Sequence, residues 1–231
     1  MPEVIVGILM LDTAFDRIPG DIGHPDTLAF DARYAVVEGA SARRAVEEGA
    51  RGLLEPFVAA GLRLATDGCE LITTSCGFLA VHQRALAAAL PVPVVSSSLL
   101  ALPSLLAVLD PAARVGVVTA NAEALSAAHF DGAGVPAAEL GRLVPIGLER
   151  TAHLYPALIG DAPGPDPSVA GPEVVEAVVA AVGADPAIAV LLCECTNLPP
   201  YRAALAAATG LPVLDIVTVV EAAAAALSAA P

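Results

Sequence analysis

The segment Thr73-Thr74-Ser75-Cys76-Gly77-Phe78, which runs on through Arg84 and an Ala/Leu stretch to Pro93-Val94, decides the fold, because the chain repeats it. Its echo is Cys193-Glu194-Cys195-Thr196-Asn197, followed by Arg202, a second Ala/Leu stretch and Pro212-Val213. Cys76 and Cys195 stand 119 residues apart, as do Pro93 and Pro212, while Arg84 and Arg202 stand 118 apart. Upstream, Val6-Gly7-Ile8-Leu9 returns as Val115-Gly116-Val117-Val118 at an offset of 109. Any two β-α-β units look alike in an alanine-rich chain, but composition alone does not put a cysteine at the same point of both.

Outward from these segments, short apolar β-rich runs alternate with Ala-rich helical stretches, the pattern of a mostly parallel sheet covered by helices. Strands are expected at 4–10, 71–74, 92–95, 114–119, 189–193 and 212–216, and helices at 53–65, 81–90, 122–129, 172–182 and 201–208. The fold class is therefore α/β, with two similar parallel-sheet halves related by a pseudo-twofold and the active site in the cleft between them. Residues 1–97 plus 211–231 make the first half and residues 98–210 the second. Ligands of open parallel sheets sit at the carboxyl ends of the strands. Both Cys76 and Cys195 fall there, each just before a helix, so the thiols face each other if the halves do.

Two segments are irregular. About forty residues, far more than an ordinary βα connection, separate the first strand from the first strong helix. They include Asp12, Thr13, Arg17, Asp21, His24 and Arg33. A loop of that length is expected to cover a site. The run 160–172, with four prolines and three glycines, reads as a loop of the second half.

Composition narrows the function classes. A chain of 231 residues that is 56% hydrophobic has ample material for a core. All 11 basic residues are arginines. Without a lysine the chain cannot hold pyridoxal phosphate as a Schiff base, and it has no Walker lysine. A formal net charge of -14 argues against nucleic acid, which is bound through clustered cations. No basic region opens the chain as in a signal peptide, so a cytoplasmic location is expected. Residues 85–109 carry no charge, but Pro91, Pro93, Pro103 and Ser96-Ser97-Ser98 divide them into helix end, buried strand and next helix, and no membrane span is expected. The four cysteines form neither CxxC pairs nor a disulfide framework and read as free thiols.

Inverting a carbon next to a carboxylate needs a base on one face and an acid on the other, and two thiols can exchange these roles. A thiol becomes a useful thiolate when a helix N-terminus or hydrogen-bond donors stabilise its charge. Ser75, Thr196 and Asn197 stand beside the cysteines as donors to a carboxylate or enolate. Asp12, Thr13 and Thr119 are placed in the same pocket. Arg17 is either an anion-binding cation or the partner of Asp12, Asp16 or Asp21 in a surface ion pair. Cys69 and Cys193 read as structural, and a metal site built on Cys193 and Cys195 lacks further ligands. A cysteine hydrolase pairing Cys76 with His82 or His24 is the main competitor. It leaves Cys195 unexplained, and Thr74 and Phe78 replace the flanking glycines of a nucleophile elbow. A binding protein that tolerates loss of both cysteines is a third reading.

With the opening strand, the cysteine at 76 and Cys195-Thr196, nearly the whole chain resembles the aspartate/glutamate racemase superfamily, which includes hydantoin racemases, maleate cis-trans isomerases and arylmalonate decarboxylases. The resemblance implies that Cys76 and Cys195 are the acid/base pair, that Thr196 binds the substrate carboxylate with Ser75, Gly77 and Asn197 lining the pocket, and that no metal or organic cofactor is used. Decarboxylases of this group keep one catalytic cysteine, so two favour a cofactor-independent racemase or epimerase. Amino-acid racemases of the group have Asn-Thr where this chain has Gly77-Phe78, which points away from aspartate or glutamate and toward a less polar substrate such as a hydantoin. A maleate-type isomerase or a decarboxylase is the alternative within the superfamily. The expected partner is a small carboxylate or amino-acid-like molecule, and the expected assembly is a homodimer.

Overall fold

The computed structural model describes residues 4–160 and 164–229. Among them, eight strands form two four-stranded sheets in which every pairing is parallel. The first contains β1 (Val6–Leu11), β2 (Ala32–Val37), β3 (Leu71–Thr74) and β4 (Val94–Val95), in the order β2-β1-β3-β4. The second contains β5 (Arg114–Thr119), β6 (Leu143–Gly147), β7 (Ile188–Cys193) and β8 (Val213–Leu214), in the order β6-β5-β7-β8. One strand order serves both sheets, so the repeat in the sequence is a repeat of topology.

The described helices are α1 (Ala42–Val46), α2 (Leu54–Thr66), α3 (Gln83–Ala89), α4 (Leu102–Val108), α5 (Ala127–Gly132), α6 (Leu154–Gly160), α7 (Pro167–Ala184), α8 (Arg202–Thr209) and α9 (Ile216–Ser228). Helices on both faces bury the central strands, and β1 and β3 are buried at every residue. That two-sided burial is why β1 reads as an unbroken apolar run, while the two buried threonines of β3 are satisfied by donating to the Val95 and Ser96 carbonyls at 2.8 Å. The paired glycines have a packing reason. A Cβ on Gly7 of β1 would come within 2.6 Å of Ile72, and one on Gly116 of β5 within 2.8 Å of Leu191, so the neighbouring strand's side chain takes the space.

The edge strands β2 and β6 were not among the expected elements. Strand β2 lies inside the forty-residue segment and exposes Arg33 and Tyr34, while β6 contains Pro145, which an edge strand tolerates. The run 160–172 is not one loop. It holds the end of α6 and the first turns of α7, and residues 161–163 lie outside the described part. Pro167 sits at the start of α7, where its missing N–H costs nothing, and Asp166 caps the helix by accepting from the Ser168 amide. Helix α7 is also the one described helix long and apolar enough to cross a membrane, with Ala170, Val174 and Val178 buried.

The halves exchange their last helices. Ser98, just before α4, donates to the Cys193 carbonyl of β7 at 2.8 Å, and Arg142, just before β6, donates to the Leu106 carbonyl at 3.0 Å. These bonds bind α4, which follows the first sheet, to the second. Helix α9 follows the second sheet and returns to the first, where Ile216, Val217, Val220 and Ala224 pack with Val6, Ile8, Met10 and Leu71. The boundary expected at Leu211 needs correction. Strand β8 pairs with β7, Leu191 donating to the Pro212 carbonyl, so the chain leaves the second sheet only at Asp215, the N-cap of α9.

Candidate active site

The site is built on two equivalent turns at the carboxyl ends of β3 and β7. Each strand is prolonged by one ladder bond, Ser75 donating to the Leu9 carbonyl at 2.9 Å and Glu194 to the Val118 carbonyl at 2.7 Å, before the chain turns into a cysteine. The turns touch. Thr196 Oγ1 donates to the Ser75 carbonyl at 2.6 Å. A Cβ on Gly77 would collide with the Glu194 carbonyl oxygen and with its Oε1, so only glycine allows this approach.

Cys76 and Cys195 both line a narrow cavity of about 30 Å³ between the turns, a space that holds a water or two. Ser75, Gly77, Thr196 and Asn197 are in its wall, as are Thr13 and Arg17 from the long loop. Apart from Glu194, the remaining wall is apolar: Leu11, Phe15, Phe78 and Ala120, with Ala42 and Val46 of α1 and Leu158 and Ile159 of α6. Arg17 lines the cavity and is at the same time paired with Asp21, in a buried rather than a surface ion pair. Its guanidinium lies 4.6 Å over the Phe15 ring, and bonds Asp21 at 3.1 Å and Thr13 at 3.0 Å. Asp21 also accepts from Asn197 Nδ2 at 2.5 Å, and Asn197 Oδ1 lies 3.6 Å from the Cys195 sulfur. The loop of the first half is thereby wired to the cysteine of the second.

Two expected residues stand elsewhere. Asp12 is exposed and holds the loop base by accepting from the Gly39 amide at 2.8 Å. Thr119 lies behind the cavity wall, where its hydroxyl donates to Glu194 Oε2 at 2.7 Å. Neither hydrolase histidine reaches the cavity. His82 is taken by the Ala50 carbonyl at 3.0 Å, and His24 accepts from the Asp26 amide. Cys193 is packed in the core of the second half. The sequence reading missed Glu194, a fully buried carboxyl in the cavity wall. Its signal was present: a lone carboxylate between two cysteines at the end of the apolar run Ala189-Val190-Leu191-Leu192.

The electrostatics correct the expectation of stabilised thiolates. Cys76 caps a 3₁₀ turn (Gly77–His82), and the Phe78 and Leu79 amides and Arg17 do favour its charge. Burial, followed by the charge of Glu194, outweighs them and pushes the thiol up to about 12. Cys195 is four residues short of the next helical turn, which starts at Pro199. Burial pushes it well above the usual thiol value, with Glu194, Cys76 and Asp21 adding to the rise and the Asn197 amide opposing it. Glu194 itself is raised to about 8 by burial, against the Thr119 hydrogen bond.

No family model matches the chain. Among solved structures, unliganded arylmalonate decarboxylase superposes with a TM-score of 0.59 at 19% identity, covering 98% of this chain and 93% of that one. Aspartate racemase from Picrophilus torridus gives 0.57 at 13% identity over 97% and 94%, and glutamate racemase from Francisella tularensis 0.54 at 14% over 97% and 81%. The chain has the fold of the aspartate/glutamate racemase superfamily. In sequence it is similar to proteins of another activity. A dimethylsulfoniopropionate lyase from Durusdinium sp. clade D is 29% identical over 92% of this chain and 71% of its own length. Dimethylsulfoniopropionate lyases 7 and 3 of Emiliania huxleyi are 31% and 30% identical over 92% of this chain, which spans 64% and 57% of their lengths.

Proposed function

We propose that this chain is a lyase that takes a proton from the carbon next to a carboxylate and expels a leaving group from the neighbouring carbon, with dimethylsulfoniopropionate or a close analogue as substrate. One observation carries the reading: Cys76 and Cys195 line one small cavity with Arg17 in its wall. A thiolate is the base, Arg17 and the hydroxyl of Ser75, whose oxygen accepts from the Leu11 amide and leaves its proton free, receive the carboxylate, and the apolar wall takes the methyl groups. In dimethylsulfoniopropionate the sulfonium stands on the carbon β to the carboxylate. When a thiolate takes an α-proton, the C–H electron pair becomes the new C=C bond and the C–S pair leaves on sulfur. The products are acrylate and dimethyl sulfide, and the proton stays on the thiol. The names of the similar sequences support elimination as the outcome.

The racemase reading shares the first step and differs in the second, where the opposite thiol returns a proton to the other face. The presence of both sulfurs in the wall keeps it as the second reading. The deciding experiment offers the purified chain dimethylsulfoniopropionate with gas-chromatographic detection of dimethyl sulfide, and in parallel offers hydantoins and amino acids in deuterated water. Dimethyl sulfide release that is lost in Cys76→Ser or Cys195→Ser is expected. No release, together with α-deuterium incorporation that needs both cysteines, would overturn elimination in favour of racemisation.

A further inference from the structure

Glu194 stands between the two cysteine turns and has no part in the steps above. Its side chain is fully buried and lines the cavity beside both cysteines. One oxygen, Oε2, accepts from the Thr119 hydroxyl of β5 at 2.7 Å. The other, Oε1, is buried with no hydrogen-bond partner among the described residues, over the bare Cα of Gly77. An unpartnered carboxyl oxygen inside a protein is costly, and the residue that carries it lines the cavity in which a substrate must sit.

We infer that Glu194 is a third catalytic residue, a carboxylic acid whose Oε1–H donates a hydrogen bond to the carboxylate of the bound substrate, where negative charge builds as the α-proton leaves. The inference rests on the carbon-acid reading above. With Thr119 on Oε2 as a donor, the proton belongs on Oε1, the oxygen left free. The ionisable groups around it are Cys193 and Cys195 on its own strand end, Cys76 across the cavity, and Arg17 and Asp21 from the loop. The only cation in this set, Arg17, is already paired with Asp21. Nothing therefore holds Glu194 ionised, and burial keeps it neutral up to about pH 8. A charged Glu194 raises both thiols, so a neutral one eases formation of the thiolate base. The enolate-like state adds charge to the substrate oxygens, and the acid's hydrogen bond strengthens as it does so, with the proton remaining on Glu194 throughout.

The test reads protonation and binding without turnover. Protein labelled with carbon-13 at the Glu side-chain carboxyl is titrated by NMR, with Glu194 assigned as the resonance missing from Glu194→Gln. Propionate affinity is measured by calorimetry from pH 6 to 10 on the wild type and on Glu194→Gln, whose amide still donates, with circular dichroism as the check of folding. The expected result is a titration near pH 8 and propionate affinity that falls about tenfold per pH unit above it in the wild type, but stays level in Glu194→Gln. A carboxyl that titrates in the ordinary acid range, or affinity that holds or rises above pH 8, overturns the inference and makes Glu194 a counter-ion. Dimethyl sulfide assays on the same samples judge the lyase reading separately.

Discussion

At the residue scale Gly77 sets how closely the two cysteine turns approach each other. Gly77 looked like a pocket residue. Its weight comes from the Glu194 carbonyl pressed against its Cα, a contact across 117 residues of chain that no local pattern announces. Gly77→Ala must push the two turns apart. A loss of about 1–3 kcal/mol of stability is expected from such overpacking, together with a hundredfold or greater loss of activity; urea titration and the dimethyl sulfide assay read the two, and wild-type activity would refute the account. Glu194 makes stability depend on pH in a defined direction. Its carboxyl is raised from 4.5 to about 8 on folding, so above pH 4.5 the unfolded chain releases a proton that the folded chain keeps. The contribution of the group is thus full below pH 4.5, shrinks as pH rises, and is spent above about 8. Glu194→Gln lacks this slope. Urea midpoints should show the variant gaining on the wild type between pH 5 and 8, by a few kcal/mol at most, and parallel curves would contradict it.

At the element scale the sequence revealed what the core encloses and hid what the edges carry. Strands β3 and β5 fall at the expected residues because burial favours β-branched residues there, Ile72-Thr73-Thr74 in one and Val115, Val117 and Val118 in the other. Strand β2, half exposed, has no such demand, and β6 carries a proline that argues against a strand in any central position. Helix α5 begins at Ala127, where Ser126 and His129 form a capping box, later than the 122 expected from alanine content alone. Helix α9 was foreseen to return to the first half, whereas the dipeptide strand β8 before it is too short to reveal its sheet by pattern. The return has an energetic consequence. Ile216 is fully buried against β1 and β3, and Ile216→Ala is expected to cost about 2–5 kcal/mol. A urea midpoint within error of the wild type would mean that α9 does not cover the first sheet in solution.

At the scale of the whole molecule, exchanged helices and a shared cavity make the halves depend on each other. The cleft was legible because two equivalent strand ends must face each other to serve one substrate. Its closure was not, because α1 and α6 are only 5 and 7 residues long and neither carries a strong amphipathic signal. They meet over the cavity, Ala42 and Val46 from one side and Leu158 and Ile159 from the other. The Tyr155 hydroxyl joins them, donating to Glu47 at 3.0 Å and accepting from Asn121 Nδ2 at 2.7 Å. With about 30 Å³ inside, the cavity has little room for a substrate, and parting of this cap is the expected way in. Tyr155→Phe keeps the ring that packs against both cores and removes the hydroxyl, so stability should fall by only about 0.5–1.5 kcal/mol. Access should change far more. Cys76 and Cys195 are 7% and 8% exposed, and their alkylation by iodoacetamide reports cap opening. Peptide mass spectrometry at one pH is expected to show several-fold faster modification of both in Tyr155→Phe, with Cys193, sealed in the core, unchanged. Equal rates in the two proteins would show that substrate enters by another route.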